Sequence, residues 1–83
     1  MITIRYFGII KEKLELNREE IDFYPGMKTN ELLALLRNRN STWYEALGED
    51  QVFRLVINHE MIYEPASIQD GDEIAILPPV TGG

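Results

Sequence analysis

Apolar and polar residues alternate in several short stretches of this chain, and one leucine stripe with helical spacing lies between them. In Ile2-Thr3-Ile4-Arg5-Tyr6-Phe7, the residues Ile2, Ile4 and Tyr6 share one face of an expected strand and Thr3, Arg5 and Phe7 the other. Assigning the first set to the core leaves Phe7 as an aromatic on the opposite side. Gly8 breaks the strand, and Ile9, Ile10 and Leu14, set among lysines and Glu12, predict a short helix. After a turn at Asn17-Arg18, Glu19 to Tyr24 alternates again with Ile21 and Phe23 inward. Pro25-Gly26 ends that strand as a type II turn.

The leucine stripe comes next. Thr29 is the expected N-cap, Leu32, Leu35 and Leu36 form the apolar face, and Arg37 and Arg39 stand in the last turn, where cations suit the helix dipole. Asn38, Asn40 and Ser41 dissolve the pattern. Thr42 with Glu45 predicts a capping box opening a short helical piece through Trp43, Tyr44 and Leu47, with Gly48 ending it in the left-handed conformation. Trp43 and Tyr44 are expected to close the edge of the core. Phe53 to Asn58 reads as a strand with Phe53, Leu55 and Ile57 inward and Arg54, Val56 and Asn58 outward. A polar turn at Asn58-His59-Glu60 leads into Met61-Ile62-Tyr63, a short returning strand stopped by Pro65. Asp70-Gly71-Asp72 is a strong turn signal, and Glu73 to Leu77 is the last strand, with Ile74 and Ile76 inward.

This order of elements gives an α+β domain, a sheet with one main helix packed on one face. Setting the last strand parallel beside the first, a step beyond the pattern itself, makes a mixed-sheet β-grasp (ubiquitin-like) roll. The expected organisation is a single domain over residues 1–83, with residues 78–83 as a flexible tail.

Composition narrows the chemistry. An apolar fraction of 45% is that of a globular protein. The absence of cysteine removes disulfides, thiolate metal sites and cysteine nucleophiles together and suits a reducing cytoplasm, the expected location. No apolar stretch approaches the ~20 residues of a membrane span, and no signal-peptide pattern opens the chain. A net charge of -6 argues against nucleic acid, which requires a basic face, and favours basic partner surfaces.

Side chains suited to catalysis are scarce. His59 is the sole histidine and falls in a turn, where a ligand role needs companions the sequence does not supply. No nucleophile elbow or phosphate-binding glycine loop is present. Asp70, Asp72 and Glu73 form a small acidic knot that reads as a solvated turn, and no metal site is expected. Two features remain. Phe7, Val56 and Leu77 share outward parity, and Met61 extends them. If their strands are neighbours they form an apolar patch, which is the signature of partner docking, unless a register error returns some of them to the core. The chain then ends Pro78-Pro79-Val80-Thr81-Gly82-Gly83: two prolines that favour an extended exit and two glycines that fit a narrow channel. The distinctive group there is the Gly83 carboxylate. It is either the functional group, or part of a frayed terminus or cloning remnant.

The run Asp70-Gly71-Asp72-Glu73, an apolar strand and then Pro78-Pro79-Val80-Thr81-Gly82-Gly83 resembles the small subunit of molybdopterin synthase, the MoaD-type sulfur carriers. Phe7, the leucine-rich helix and Val56-Ile57-Asn58 extend the likeness, whereas Leu77 stands where the family often has an aromatic. The resemblance implies a β-grasp carrier that is no enzyme by itself and holds no permanent cofactor. An ATP-dependent, E1-like enzyme would adenylate Gly83, and sulfur from a persulfide-bearing protein would turn it into a thiocarboxylate. Pro78, Pro79, Val80, Thr81 and Gly82 would insert into the large synthase subunit, while Phe7, Val56, Met61 and Leu77 dock it. The sulfur would pass to cyclic pyranopterin monophosphate. A thiamin-thiazole sulfur carrier is the alternative within the same chemistry; the Asn40–Gln51 stretch and the Pro-Pro-Val-Thr approach argue against it. A ubiquitin-like modifier joined to lysine through Gly83, and an interaction domain with an inert terminus, are the other two classes.

Overall fold

The computed structural model describes residues 1–79. The elements are β1 (Ile2–Tyr6), α1 (Gly8–Leu14), β2 (Arg18–Ile21), α2 (Thr29–Arg37), α3 (Ser41–Ala46), β3 (Arg54–Ile57), β4 (Glu60–Ile62) and β5 (Glu73–Leu77). The strands form one mixed sheet in the order β2-β1-β5-β3-β4, with β1 and β5 parallel and each other neighbouring pair antiparallel. The last strand therefore lies beside the first at the centre of the sheet, and the fold is the expected α+β β-grasp. Among the described residues no helix is long and apolar enough to cross a membrane.

Alternation sets the core. Ile4 pairs with Ile74 and Tyr6 with Ile76 across β1 and β5, and these four side chains, with Ile2, are wholly inaccessible to solvent. They pack with Leu32 and Leu36 of α2, Ile10 of α1 and Trp43, Ala46 and Leu47 at α3. Burying each large aliphatic side chain contributes about 1.5–3 kcal/mol. The line of α2 that faces the sheet runs Thr29-Leu32-Leu36, with Leu33 half-buried beside it, so Leu35 falls on the far flank and is half exposed.

Three helix-end expectations are corrected, one of them by a tertiary contact and two by local ones. Thr29 is the first helical residue rather than the cap. Its hydroxyl accepts from the Ala66 N–H at 3.0 Å and its own N–H donates to the Ala66 carbonyl at 2.9 Å, so a bridge to the segment before β5 uses the group a cap would need. Lys28 holds the cap position without a side-chain bond. At α3 the cap is Asn40, whose Oδ1 accepts from the Trp43 N–H at 3.1 Å, two residues ahead of the expected Thr42 box. Leu47, at φ −118°, closes that helix. Gly48 is required for space rather than for handedness, because a Cβ there would stand 2.8 Å from the Tyr44 carbonyl oxygen. Trp43 closes the core edge as expected, whereas Tyr44 is largely exposed.

A polar ring braces the sheet against the helices. Tyr6 Oη donates to Glu19 Oε2 at 2.6 Å, and Arg39 donates twice to the same carboxylate at 2.8 Å. The Arg39 guanidinium lies 4.4 Å from the centre of the Trp43 ring, which meets the Tyr6 ring edge-on at 5.5 Å. Partial burial pushes the Glu19 carboxyl up, but hydrogen bonds from Arg39 and Tyr6 and the charge of Arg39 together outweigh it and leave it below its ordinary 4.5. Burial, and then the Glu19 carboxylate, push the Tyr6 phenol far above its ordinary value.

The expected polar turn between β3 and β4 is a two-residue hairpin loop. Asn58 and His59 both take positive φ, 49° and 72°, the type I′ geometry that matches strand twist. Asn58 also ties this hairpin to the entry of β5: its Nδ2 donates to Asp72 Oδ1 at 2.8 Å and its Oδ1 accepts from the Glu73 N–H at 2.9 Å.

Two outcomes test this account. Because the folded Glu19 carboxyl is depressed, its stabilisation is full above the unfolded value and is lost as pH falls through the folded one. Glu19→Gln should cost about 1–2 kcal/mol at neutral pH, or a thermal midpoint lower by roughly 4–16 °C. Below pH 4.5 the gap between wild type and variant should narrow, as read from midpoints across an acid pH series. Asn58→Ala should cost about 1–3 kcal/mol by combining lost hydrogen bonds with a positive φ, and urea unfolding measures it.

Candidate functional site

The sheet face away from the helices is built from the outward set of each central strand. Arg5 and Val56 flank Ala75 on its two sides, Val56 pairs with Met61 of β4, and Arg54 pairs with Leu77. Phe7 extends β1 by one residue, and its N–H donates to the Ile76 carbonyl at 3.2 Å, which brings it alongside Leu77. Phe7, Val56 and Leu77 are half-buried, and Met61 is exposed. Their strands are neighbours in the order β1-β5-β3-β4, so the four fall on one contiguous face, as their shared parity predicts.

Phe7 owes its position to the chain reversal that follows it. It caps α1 in an extended conformation and its carbonyl accepts from the Lys11 N–H at 3.3 Å. Gly8 then turns at φ +58°, with Pro78 so close that a Cβ on Gly8 would meet the proline Cγ at 2.7 Å. Pro78 is thus seated on the β1–α1 junction directly after Leu77, and Pro79 is half-buried. Val80, Thr81, Gly82 and Gly83 lie outside the described residues.

Sequence reasoning passed over Arg5, Arg54 and Ala75 on this face. The signal was available, since all three share the outward parity of Phe7, Val56 and Leu77. Ala75 keeps the centre of the patch low, and the arginines stand at its margins. Arg5 is held loosely, 3.7 Å from Glu73 Oε1, with its guanidinium 5.3 Å from the centre of the Phe7 ring.

The remaining polar candidates have structural occupations. His59 is an exposed turn residue. Asp72 Oδ2 accepts from the Gln69 N–H at 2.8 Å while Oδ1 takes Asn58, which makes the acidic knot the clasp of a turn with Gly71 at φ +89°. The Met1 ammonium, 2.6 Å from Asp70 Oδ1, holds that exposed carboxyl below its usual range. Among the described residues no three His, Cys, Asp or Glu side chains gather as a ligand set.

Known proteins can now be set beside this geometry. The sequence pattern of the ThiS family matches residues 4–83. The chain is 31% identical over 85 residues to the molybdopterin synthase sulfur carrier subunit of Escherichia coli, covering 100% of both chains. It is 28% identical over 82 residues to the Chlamydomonas reinhardtii protein of the same name, covering 99% of this chain and 98% of that one. Among solved structures, SAMP1 from Haloferax volcanii superimposes with a TM-score of 0.79 at 21% identity, covering 99% of this chain and 98% of that one. A candidate molybdopterin converting factor, subunit 1, from Pyrococcus furiosus gives 0.74 at 19% identity, covering 95% and 97%. Those two share the fold, and the family follows from the sequence match: this chain belongs to the ThiS family.

Proposed function

We propose that the chain is the sulfur carrier subunit of a molybdopterin synthase and acts through the Gly83 carboxylate. The observation that carries this reading is the end of β5. The central strand delivers Pro78, packed on Gly8, to the border of an apolar face made by Phe7, Val56, Met61 and Leu77. The full-length likeness to sulfur carrier subunits supports it.

The chemistry follows from what a terminal carboxylate lacks. At neutral pH it is ionised, with an ordinary pKa of about 3.3–3.7, and it is a poor electrophile. An E1-like partner consumes ATP to join it to AMP, which supplies a leaving group. The outer sulfur of a persulfide-bearing protein attacks the carbonyl and expels AMP; a second thiol then cleaves the resulting acyl disulfide, leaving as a disulfide with the donor, and the thiocarboxylate so released is a soft nucleophile. Pro78 to Gly82 carry it into the large subunit, beside cyclic pyranopterin monophosphate, and the apolar face orients the complex. This chain contributes the tether and the docking face, and its partners contribute the catalytic groups. No resident cofactor is involved, and the setting is a reducing cytoplasm.

Incubation with ATP, the adenylating enzyme and the sulfur donor, followed by intact mass spectrometry, tests the reading: it requires one oxygen replaced by sulfur at Gly83. A lysine conjugate or an unchanged mass would refute it. Deleting Gly83 shortens the tether by about 3.5 Å, and a misplacement of ~1 Å already costs ~100-fold in rate. The deletion, or one residue added beyond Gly83, should abolish thiocarboxylate formation and molybdopterin production while leaving the circular dichroism spectrum unchanged. Phe7→Ala and Leu77→Ala should each weaken binding to the large subunit by ~2 kcal/mol or more. Calorimetric titration reads that loss, and the thermal midpoint should fall by only a few degrees.

A further inference from the structure

The chain has five arginines, and among the described residues four have a partner. Arg5 faces Glu73, Arg18 faces Glu20, Arg37 donates to the Leu47 carbonyl and Arg39 clasps Glu19. Arg54 is the exception: among the described residues it makes no ion pair and no side-chain hydrogen bond. It is exposed, begins β3, and lies opposite Leu77 in the β3–β5 register. This uncommitted cation therefore stands beside the last residue of the central strand, at the rim of the apolar face, in a protein of net charge -6.

We infer that Arg54 is a partner-selecting residue, and that the surface receiving Leu77 presents an aspartate or glutamate carboxylate to it. The inference rests on the docking reading above, and the partner it commits to is the large subunit. A surface that covers Leu77 must also cover its cross-strand neighbour. Stripping water from a guanidinium without replacing its hydrogen bonds is costly, so the covering surface has to supply an acceptor. A carboxylate matches the guanidinium fork with two parallel bonds. The rest of the chain repels acidic surfaces, so an acidic partner group finds its match at few places here, and that fixes the angle of approach. A partner with a lysine or a bare apolar wall at this point is rejected, because it leaves Arg54 buried and unanswered. Arg5, at the other margin, is held only loosely but has Glu73 and the Phe7 ring beside it, whereas Arg54 has neither an anion nor a ring among the described residues.

The test is calorimetric titration of the full chain with the purified large subunit at low and high salt. Arg54→Ala should weaken binding at least about tenfold and flatten the salt dependence, and Arg54→Glu should weaken it further. Arg54→Gln, which keeps most of the stem, should behave like the alanine variant, and Lys13→Ala, which removes an exposed cation of α1 on the opposite side of the sheet, should stay within about threefold of wild type. Thermal midpoints should be unchanged, since Arg54 holds nothing in the fold; should alanine perturb folding, the glutamine variant decides. Wild-type affinity and salt dependence in Arg54→Ala or Arg54→Gln, with Leu77→Ala still impaired, would overturn the role of Arg54 and leave the docking face standing. Unchanged binding in the Leu77→Ala variant as well would overturn the docking reading and this inference with it.

Discussion

The register of β5 is the constraint on which the rest depends. Inserted between β1 and β3, it sends Ile74 and Ile76 into the core and Ala75 and Leu77 to the outer face. A slip by one residue would exchange those sets, removing two isoleucines from the core at about 1.5–3 kcal/mol each. Against a typical total stability of about 5–15 kcal/mol that is decisive. The same slip would displace Leu77 and Pro78 by about 3.3 Å and dismantle the outer face. Asn58 and Asp72 pin the strand where it enters the sheet, and the Gly8–Pro78 contact fixes where it leaves.

The ring of Tyr6, Glu19, Arg39 and Trp43 does for β1 what the Asn58 clasp does for β5. Tyr6 is anchored through its hydroxyl and its ring on the core side, which leaves its neighbour Phe7 held on the opposite side. The core and the outer face are therefore mechanically linked through one residue step. Charge-assisted bonds in a half-buried site suit this task, because they fix angle and distance together.

Strands and their inward faces were legible because a period of two is a local property, visible in Ile2-Thr3-Ile4 or in Ile74-Ala75-Ile76. The helix ends were less so. Thr29 was drawn from the cap position by Ala66, 37 residues on, which no local propensity implies; Asn40, itself a favoured capping residue, took the start of α3 in place of Thr42, and Gly48 answers to the Tyr44 carbonyl rather than to handedness. The polar ring joins residues 20 apart, and its one trace in the sequence was Glu19 sharing the inward parity of Ile21 and Phe23. The apolar members of the outer face could be read from parity once their strands were neighbours. Arg54 could not be singled out, because its lack of a partner emerges only when every other arginine has found one.

The parallel pairing of Thr3 with Glu73 has a consequence for how the protein comes into being. β1 and β3 share no edge, so the β1–β2 and β3–β4 ladders remain two separate pieces until β5 arrives to join them. Closing so long a loop is entropically expensive and slows folding. During synthesis β1 leaves the ribosome about 70 residues ahead of β5 and must wait for it. A chain interrupted before Leu77 lacks the strand that unites its sheet and is exposed to proteolysis. The strand that completes the sheet is thus also the one that delivers Pro78, so a molecule able to present that proline has already closed its core.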